Sequence, residues 1–269
     1  MARPAPRYTA KTADKFVLYQ KAVQSPESEV DFCTRIYKKR YGQAPTLFRE
    51  DFCGTALISC EWARRRRANH AYGVDLDNPT LDYGRKHNVA RLSDEAAARV
   101  HLIRDNVLNV RRPKVHIVGA FNFSYFIFKR RNELVAYYKA VRKSLAPKGM
   151  FILDAYGGWE AQEEMTEDTR HPGFTYVWDQ AVYNPINDHT VCHIHFRFPD
   201  GTMLKKAFTY DWRLWTLGGI QDALLDAGFG STEVYWEGTD KDGEGNGVYR
   251  KCEQGENTPG WNAYIVGLP

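Results

Sequence analysis

The chain is organised around the stretch Thr46-Leu47-Phe48-Arg49-Glu50-Asp51-Phe52-Cys53-Gly54-Thr55-Ala56, which leads through a helical segment into Ala71-Tyr72-Gly73-Val74-Asp75-Leu76-Asp77. This pattern predicts a strand, a tight turn, a helix and a second strand that ends in an acid. Gly54 permits a sharp turn and a close approach to a ligand, because glycine has no Cβ. The following helix points unpaired backbone N–H groups at the turn, and Asp75 can bind the hydroxyls of a ribose.

The glycine pattern of this turn disfavours a dinucleotide. A G-x-G-x-x-G loop brings its backbone against a pyrophosphate. Here only Gly54 is present, and Phe52 and Ala56 occupy the other positions where small residues are expected. The turn therefore predicts a ligand that has a ribose and no phosphates.

Residues 50–56 resemble the first motif of class I S-adenosylmethionine-dependent methyltransferases, with Glu50 at the motif acid and Gly54 at its central glycine. The run Leu145-Ala146-Pro147-Lys148-Gly149, continuing to Asp154, and the triplet Ala227-Gly228-Phe229 resemble later segments of the same family. The resemblance covers about residues 32–154 and 208–267. It implies an α/β fold with a Rossmann-like, seven-stranded, mostly parallel sheet of order 3-2-1-4-5-7-6, helices on both faces and an antiparallel last strand.

The resemblance implies S-adenosylmethionine as the cofactor, with S-adenosylhomocysteine as the product. It predicts the following cofactor-binding residues: Glu50, Phe52, Cys53, Gly54, Thr55, Asp75, Leu76, Asp105, Asn106, Val107, Ala120 and Phe121. In the family, an acid at the position of Asp105 contacts the adenine amino group. The alternative is that Asp105 only caps the turn that follows it.

Three parts of the chain are expected to form the molecule. Residues 1–44 are predicted as a helical cap, residues 45–156 and 207–269 as the cofactor-binding core, and residues 157–206 as an inserted antiparallel β cover. Alternating apolar and polar residues predict strands at about 174–182, 191–198 and 202–211. Residues 238–247, rich in glycine and charge, are predicted to be a loop.

The acceptor side is less clearly marked in the sequence. Tyr19, Asn122, Tyr156 and His193 are the candidates for positioning the acceptor or removing its proton. For Tyr19, the alternative is simple packing of the cap onto the core. His193 and His195 share one face of a predicted strand, as two metal ligands would, but no further ligand lies nearby and no metal is predicted.

Composition favours an ordinary soluble enzyme. The 269 residues carry a net charge of +4, which does not demand a polyanionic partner. Five cysteines without C-x-x-C spacing favour a reduced, cytoplasmic setting, and no apolar run is long enough to span a membrane. We therefore expect a small-molecule amine or hydroxyl acceptor and no membrane partner, and the inserted sheet is a candidate surface for a homodimer.

Two other functions remain open from the sequence. An RNA or protein methyltransferase would need a basic groove near the strand tips, whereas the basic runs at 64–67 and 129–131 are predicted to lie away from them, so nucleic acid is an unexpected partner. A non-catalytic ligand-binding protein of the same fold is the other alternative, because a fold alone does not establish a function.

Overall fold

An eight-stranded sheet forms the centre of the molecule in the computed structural model, which describes residues 8–241 and 245–269. Its strand order is β3-β2-β1-β4-β5-β12-β10-β11. The strands are β1 (Leu47–Asp51), β2 (His70–Asp75), β3 (Val100–Arg104), β4 (Val115–Ala120), β5 (Leu145–Gly157), β10 (Ser231–Thr239), β11 (Gly245–Lys251) and β12 (Trp261–Leu268). The first five are parallel, and β12 runs antiparallel to both of its neighbours, β5 and β10.

Helices cover both faces of this sheet. The α-helices in the described part of the chain are α1 (Lys15–Ala22), α2 (Pro26–Tyr41), α3 (Leu57–Arg65), α4 (Asn78–His87), α5 (Asp94–Ala97), α6 (Arg131–Ser144) and α7 (Leu217–Asp226). On one face, Ile36 of α2 and Trp62 of α3 pack on Phe48 of β1. On the other face, Tyr137 of α6 and Ile220 of α7 belong to a second core cluster. Burial on both faces suits the apolar run at residues 150–153 of β5, whereas β1 buries three charged residues, Arg49, Glu50 and Asp51.

A second, four-stranded antiparallel sheet is inserted between β5 and α7. It contains β6 (Met165–His171), β7 (Phe174–Asn184), β8 (His189–Arg197) and β9 (Met203–Arg213), in that order. Helix α1 packs on this sheet, with Leu18 buried against Ile194 and Phe196, whereas α2 packs on the central sheet. The two helices predicted as one cap thus lie on different surfaces.

The predicted order 3-2-1-4-5-7-6 is confirmed, with an antiparallel seventh strand. The prediction of seven strands is wrong by one, because β11 adds an eighth strand beside β10. Part of the predicted loop at 238–247 belongs to β10 and β11, and its residues 242–244 lie outside the described part of the chain. Three strands of the insertion were expected near their observed positions, and β6 was not.

Candidate functional site

The turn after β1 is held against the tip of β2. Gly54 has a left-handed backbone, with φ of 51°, and its amide donates a 2.8 Å hydrogen bond to Asp75 Oδ2. The second oxygen of Asp75, Oδ1, accepts a 2.9 Å bond from the amide of Asp77. Cys53 ties the same turn to β2 through its amide, which donates to the carbonyl of Val74. The turn and the acid predicted to face one ligand are therefore neighbours.

Phe52 and Ala56 adopt glycine-like conformations on either side of this turn. Their φ angles are 57° and 58°, in the left-handed region that side chains disfavour. Ala56 is fully buried, and the Phe52 ring packs 5.6 Å from Tyr137 and 6.1 Å from Phe128. The loop keeps the left-handed backbone at positions 52, 54 and 56, although only one of the three is a glycine.

Glu50 lies beneath the turn as a buried acid. Its Oε2 accepts hydrogen bonds from the amide of Ser59, at 2.9 Å, and from the hydroxyl of Ser59, at 2.5 Å. Burial raises the pKa of Glu50 to about 8, against the opposing effect of the Ser59 bonds. Thr55 links the turn to its surroundings, because its hydroxyl accepts from Gln20 of α1 and its carbonyl accepts from Asn88.

The tip of β3 lies next to that of β2. The amide of Asp105 donates to the carbonyl of Asp75 at 3.2 Å. Asp105 Oδ1 accepts from the amide of Asn106 at 2.7 Å and from the side chain of Asn109 at 3.1 Å, so the carboxylate does cap the following turn. Val107 is buried in the core. Leu76, at the outer side of the β2 tip, is 62% exposed.

The exit of β4 forms the opposite side of the site. After the buried residues Ala120 and Phe121, the chain turns through Asn122 and Phe123, whose φ angles are 55° and 57°. Both amides donate to the carboxylate of Asp154, at 2.7 and 2.9 Å. Burial raises the pKa of Asp154 to about 7, although these two hydrogen bonds oppose the shift.

A cavity opens between these strand tips and the inserted sheet. Its lining residues are Phe16, Tyr19, Gln24, Glu50, Asp51, Phe52, Cys53, Gly54, Thr55, Thr80, Phe121, Asn122, Ser124, Phe208 and Tyr210. The core strands supply its floor. Helix α1 and strand β9 supply its roof, where the rings of Tyr19 and Phe208 lie 4.8 Å apart.

The structure brings eight of the sixteen predicted site residues to this cavity: Tyr19, Asn122, Glu50, Phe52, Cys53, Gly54, Thr55 and Phe121. Asp75 adjoins it through its bond to Gly54. The remaining residues do not line it: Leu76, Asp105, Asn106, Val107, Ala120, Tyr156 and His193. Tyr156 packs 4.6 Å from the ring of Phe123 instead. His193 is 6% exposed within the inserted sheet, where its Nδ1 lies 3.0 Å from Thr209 Oγ1.

Sequence reasoning missed several lining residues, namely Phe16, Gln24, Asp51, Thr80, Phe208 and Tyr210. Phe208 and Tyr210 come from β9, far along the chain from the turn at Gly54. Alternation in β9 predicted that these aromatic residues share a face, but no local pattern shows which element that face will meet.

The chemistry of the lining is aromatic and acidic. Burial raises the pKa of Tyr19 to about 12, against the effect of its hydrogen bond with Tyr210, so both phenols remain neutral near pH 7. Glu50 and Asp51 are acids, and none of the described residues that line the cavity is Lys, Arg or His. A pyrophosphate would lack a counter-charge here, whereas a phosphate-free or cationic ligand is compatible with these groups.

Solved structures of other proteins share this architecture, although no protein-family model and no curated protein sequence matches the chain. An S-adenosylmethionine-dependent methyltransferase from Clostridium acetobutylicum is 17% identical, with a TM-score of 0.67 over 94% of this chain and 98% of that one. The amino pentose methyltransferase CalS10 from Micromonospora echinaspora is 14% identical, with a TM-score of 0.66 over 100% of both chains.

The sugar N-methyltransferase KedS8 from a Streptoalloteichus species is a third neighbour. It is 13% identical, with a TM-score of 0.61 over 100% of this chain and 96% of that one. At these identities the likeness concerns the fold. It extends over the central sheet, the inserted sheet and the helices. The chain therefore has the fold of the S-adenosylmethionine-dependent methyltransferases.

Proposed function

We propose that the chain transfers the methyl group of S-adenosylmethionine to an amine or hydroxyl of a small-molecule acceptor. The observation that carries this proposal is the bond between the Gly54 amide and the Asp75 carboxylate, at the wall of a cavity lined by aromatic rings and acids. This bond holds the sharp backbone turn against an acid that can bind a diol. The described residues that line the cavity supply no positive charge for a phosphate.

The residues around the turn fit the adenosine part of this cofactor. A Cβ placed on Gly54 would meet only Thr80 Cγ2, at 3.9 Å, so the backbone is open on that side. Each oxygen of Asp75 accepts one backbone bond and keeps a lone pair for a ribose hydroxyl. Both hydrogen bonds to Asp105 go to Oδ1, which leaves Oδ2 for the amino group of adenine.

Aromatic rings and acids suit the positive sulfur of the cofactor, which when bound supplies an already activated methyl group. The chain's own residues then have to position the acceptor and take up its proton. Tyr19 and Asn122 line the cavity, and Tyr19 is neutral near pH 7, so we propose that it positions the acceptor by a hydrogen bond. Tyr156 and His193 have weaker support, because neither lines the cavity.

Two features favour a small acceptor over a macromolecule. The cavity is covered by α1 and β9, which contribute Phe16, Tyr19, Phe208 and Tyr210 to its lining. Two of the solved structures with this fold are named as methyltransferases of sugars, one of them an amino pentose. Both features support an acceptor about as large as a sugar.

Calorimetric titration with S-adenosylmethionine tests the cofactor. Asp75→Ala removes the proposed bonds to the ribose, so its affinity should fall about 10-fold or more, since hydrogen bonds to charged groups contribute about 1.5–3 kcal/mol each. Asp82→Ala, which removes an exposed acid on α4 paired with Arg85, is the control and should bind as the wild type does. Absence of binding by the wild type would contradict the proposal.

A second experiment addresses the acceptor class. Transfer of a radiolabelled methyl group should be measured onto amino sugars, aromatic amines, phenols, tRNA and peptides. We expect transfer to small molecules alone. Transfer to tRNA or peptides would favour a macromolecular substrate, and binding of the cofactor without transfer to any of them would favour a non-catalytic protein.

A further inference from the structure

Two acids, the buried Glu29 of α2 and the half-buried Asp154 of β5, lie behind one wall of the cavity. Glu29 lies in the first turn of α2, and Phe32 lies one turn later on the same face of that helix. The ring of Phe32 stacks on Tyr264 at 4.2 Å, and Tyr264 of β12 is the register partner of Asp154 in β5. Helix α2 thereby lies over the part of the sheet that carries Asp154, and the charge of Asp154 acts on the Glu29 carboxyl.

Among the residues that the structure describes, Glu29 has no cationic partner, and only a hydrogen bond from the backbone of Ser25 opposes the effect of burial on its pKa. The residue is 6% exposed, and its Oε2 forms no hydrogen bond within the described part of the chain. No Lys, Arg or His among the described residues forms an ion pair with Glu29, Asp154 or Glu50. Burying a carboxylate without a cation is costly, so such a group either takes up a proton or receives a cationic ligand.

The pKa values of these acids are raised, as expected for carboxyl groups that are buried without a nearby cation. Burial raises the pKa of Glu29 to about 8, and the nearby carboxylates of Asp154 and Glu50 raise it further. Other titratable groups near these acids also have raised pKa values: Tyr19, Tyr249, Tyr264, Cys33 and, beside Asp154 alone, Tyr125. None of these groups supplies a positive charge.

The pair is connected to the cavity by two residues of its wall. Asn122 lines the cavity, and its amide binds Asp154. Gln24 lines it just before α2, and its buried Oε1 has no partner among the described residues. The ring of Phe121, also in the lining, lies 6.2 Å from that of Tyr264. Carboxylates, an amide oxygen and aromatic faces together are the groups that bind an ammonium ion.

We propose that Glu29 and Asp154 bind the ammonium group of the methyl acceptor, which makes the acceptor an amine and not an alcohol. This inference rests on the proposed function and specifies its substrate class. It also supplies the proton step. The Glu29 carboxylate takes one proton from the ammonium, and the freed nitrogen lone pair attacks the methyl carbon while the carbon–sulfur bond breaks and its electrons remain on sulfur. The product leaves as a methylammonium, and Glu29 releases its proton to solvent.

Matched amines and alcohols test the inference on protein loaded with S-adenosylhomocysteine. The probes are benzylamine with benzyl alcohol, and glucosamine with glucose, titrated by calorimetry. We expect an amine to bind and its alcohol to bind about 10-fold more weakly or not at all, as the loss of one charge-assisted interaction predicts. Equal binding within both pairs, or no binding of either amine, would overturn the inference.

Glu29→Gln keeps the shape of the side chain and removes its charge. It should weaken amine binding about 10-fold and leave the affinity for S-adenosylhomocysteine unchanged. Glu27→Gln, an exposed position two residues earlier in α2, is the matched control and should change neither affinity. Retained amine affinity in Glu29→Gln would contradict the proposed role.

Two further measurements keep the outcomes distinct. If the acids hold the ammonium of the cofactor instead, Glu29→Gln will weaken S-adenosylhomocysteine but not methylthioadenosine, which lacks that group, and the inference fails. In the wild type, affinity for benzylamine should rise between pH 6 and pH 8, where the acids ionise and this amine is still an ammonium ion, and a flat profile would overturn the inference without any variant. Failure of the proposed function itself would appear separately, as a wild type that binds no S-adenosylmethionine.

Discussion

Phe52 and Ala56 show how the turn keeps its shape without its usual glycines. A side chain in the left-handed region costs about 1–2 kcal/mol. The Phe52 ring recovers part of this by packing on Tyr137 and Phe128, and the Ala56 methyl is fully buried. Burial of these two side chains therefore offsets part of the conformational cost of their left-handed backbone. Gly54, which faces the cavity, has no side chain that could be packed in the same way.

Arg49 and Asp51 form a fully buried ion pair on β1. Arg49 Nε lies 2.8 Å from Asp51 Oδ1, its Nη1 donates to the carbonyl of Val110 at 2.6 Å, and Tyr137 donates to Asp51 at 2.9 Å. Arg49→Met should lower the free energy of unfolding by about 3–5 kcal/mol, because it leaves the Asp51 charge buried and unpaired. Urea denaturation at pH 7 measures this change.

The double variant Arg49→Met, Asp51→Leu separates the charge from the packing. It removes both members of the pair, so it should be more stable than Arg49→Met alone, although the Tyr137 hydroxyl then loses its acceptor. A double variant as unstable as the single one, or less stable, would show that packing and not the unpaired charge is the main effect.

Helix α4 contacts the cofactor turn through Gly84. A Cβ on Gly84 would lie 2.6 Å from the carbonyl oxygen of Thr55, the same oxygen that accepts from Asn88. Gly84→Ala should therefore lower stability by about 1–3 kcal/mol through overpacking, even though alanine favours a helix by about 1 kcal/mol. Thermal unfolding and the affinity for S-adenosylmethionine should both decrease.

Gly218 is the matched control, because it lies in the first turn of α7 with nothing within 4 Å of an added Cβ. Gly218→Ala should raise stability by up to about 1 kcal/mol and leave cofactor affinity unchanged. Opposite signs for the two substitutions would locate the effect at the contact with Thr55. If Gly84→Ala also stabilised the protein, close packing of α4 on the turn would be refuted.

At the level of elements, the sequence pattern predicted the strands and helices that apolar periodicity and turn residues mark. The β1–α3–β2 unit follows from apolar periodicity and from the turn at Gly54, whereas the antiparallel direction of β12 was implied only by the family resemblance. Strand β6, Met165–His171, has almost no apolar residue to mark it, since it is an exposed edge strand. Strand β11, Gly245–Lys251, contains two glycines and exposed polar residues, which are typical of a loop.

Across the whole molecule, the site joins residues that sequence pattern could not bring together. Tyr19 of α1 meets Phe208 of β9, and the charge of Asp154 in β5 acts on Glu29 of α2. The family resemblance supplied the candidates for the cofactor side, because they stand at the ends of successive strands, β1 to β4, where local motifs mark them. The acceptor side depends on how α1 and the inserted sheet dock on the core. The spacing of residues within either segment does not predict that docking.

Stability should fall as the pH rises from 6.5 to 8.5. The folded-state pKa values of Glu29 and Glu50 are about 8 and that of Asp154 is about 7, all well above their ordinary values. The unfolded chain has already lost these protons at pH 6.5, whereas the folded protein keeps them up to about pH 7 at Asp154 and about pH 8 at Glu29 and Glu50, so each group costs up to about 1.4 kcal/mol per pH unit until its folded pKa is passed.

Urea denaturation at several pH values in this window checks the prediction. The pKa values of His101, His116 and His193 are lowered, so the stabilising effect of these side chains is lost only as the pH falls below about 6.5. Glu29→Gln should flatten the profile, and Glu27→Gln should not. A wild-type profile that is flat or rises from pH 6.5 to 8.5 would contradict the burial of these acids as carboxyl groups.

The place of β12 in the sheet has a consequence for biosynthesis. This strand lies between β5 and β10, yet both of them precede it in the chain. A nascent chain that has emerged only as far as β11 leaves one edge of β5 and one edge of β10 unpaired, and such edges can pair with other chains. The ribosome must therefore release residues up to about 268 before the gap can close, so we expect chaperone dependence to be greatest while translation is still under way.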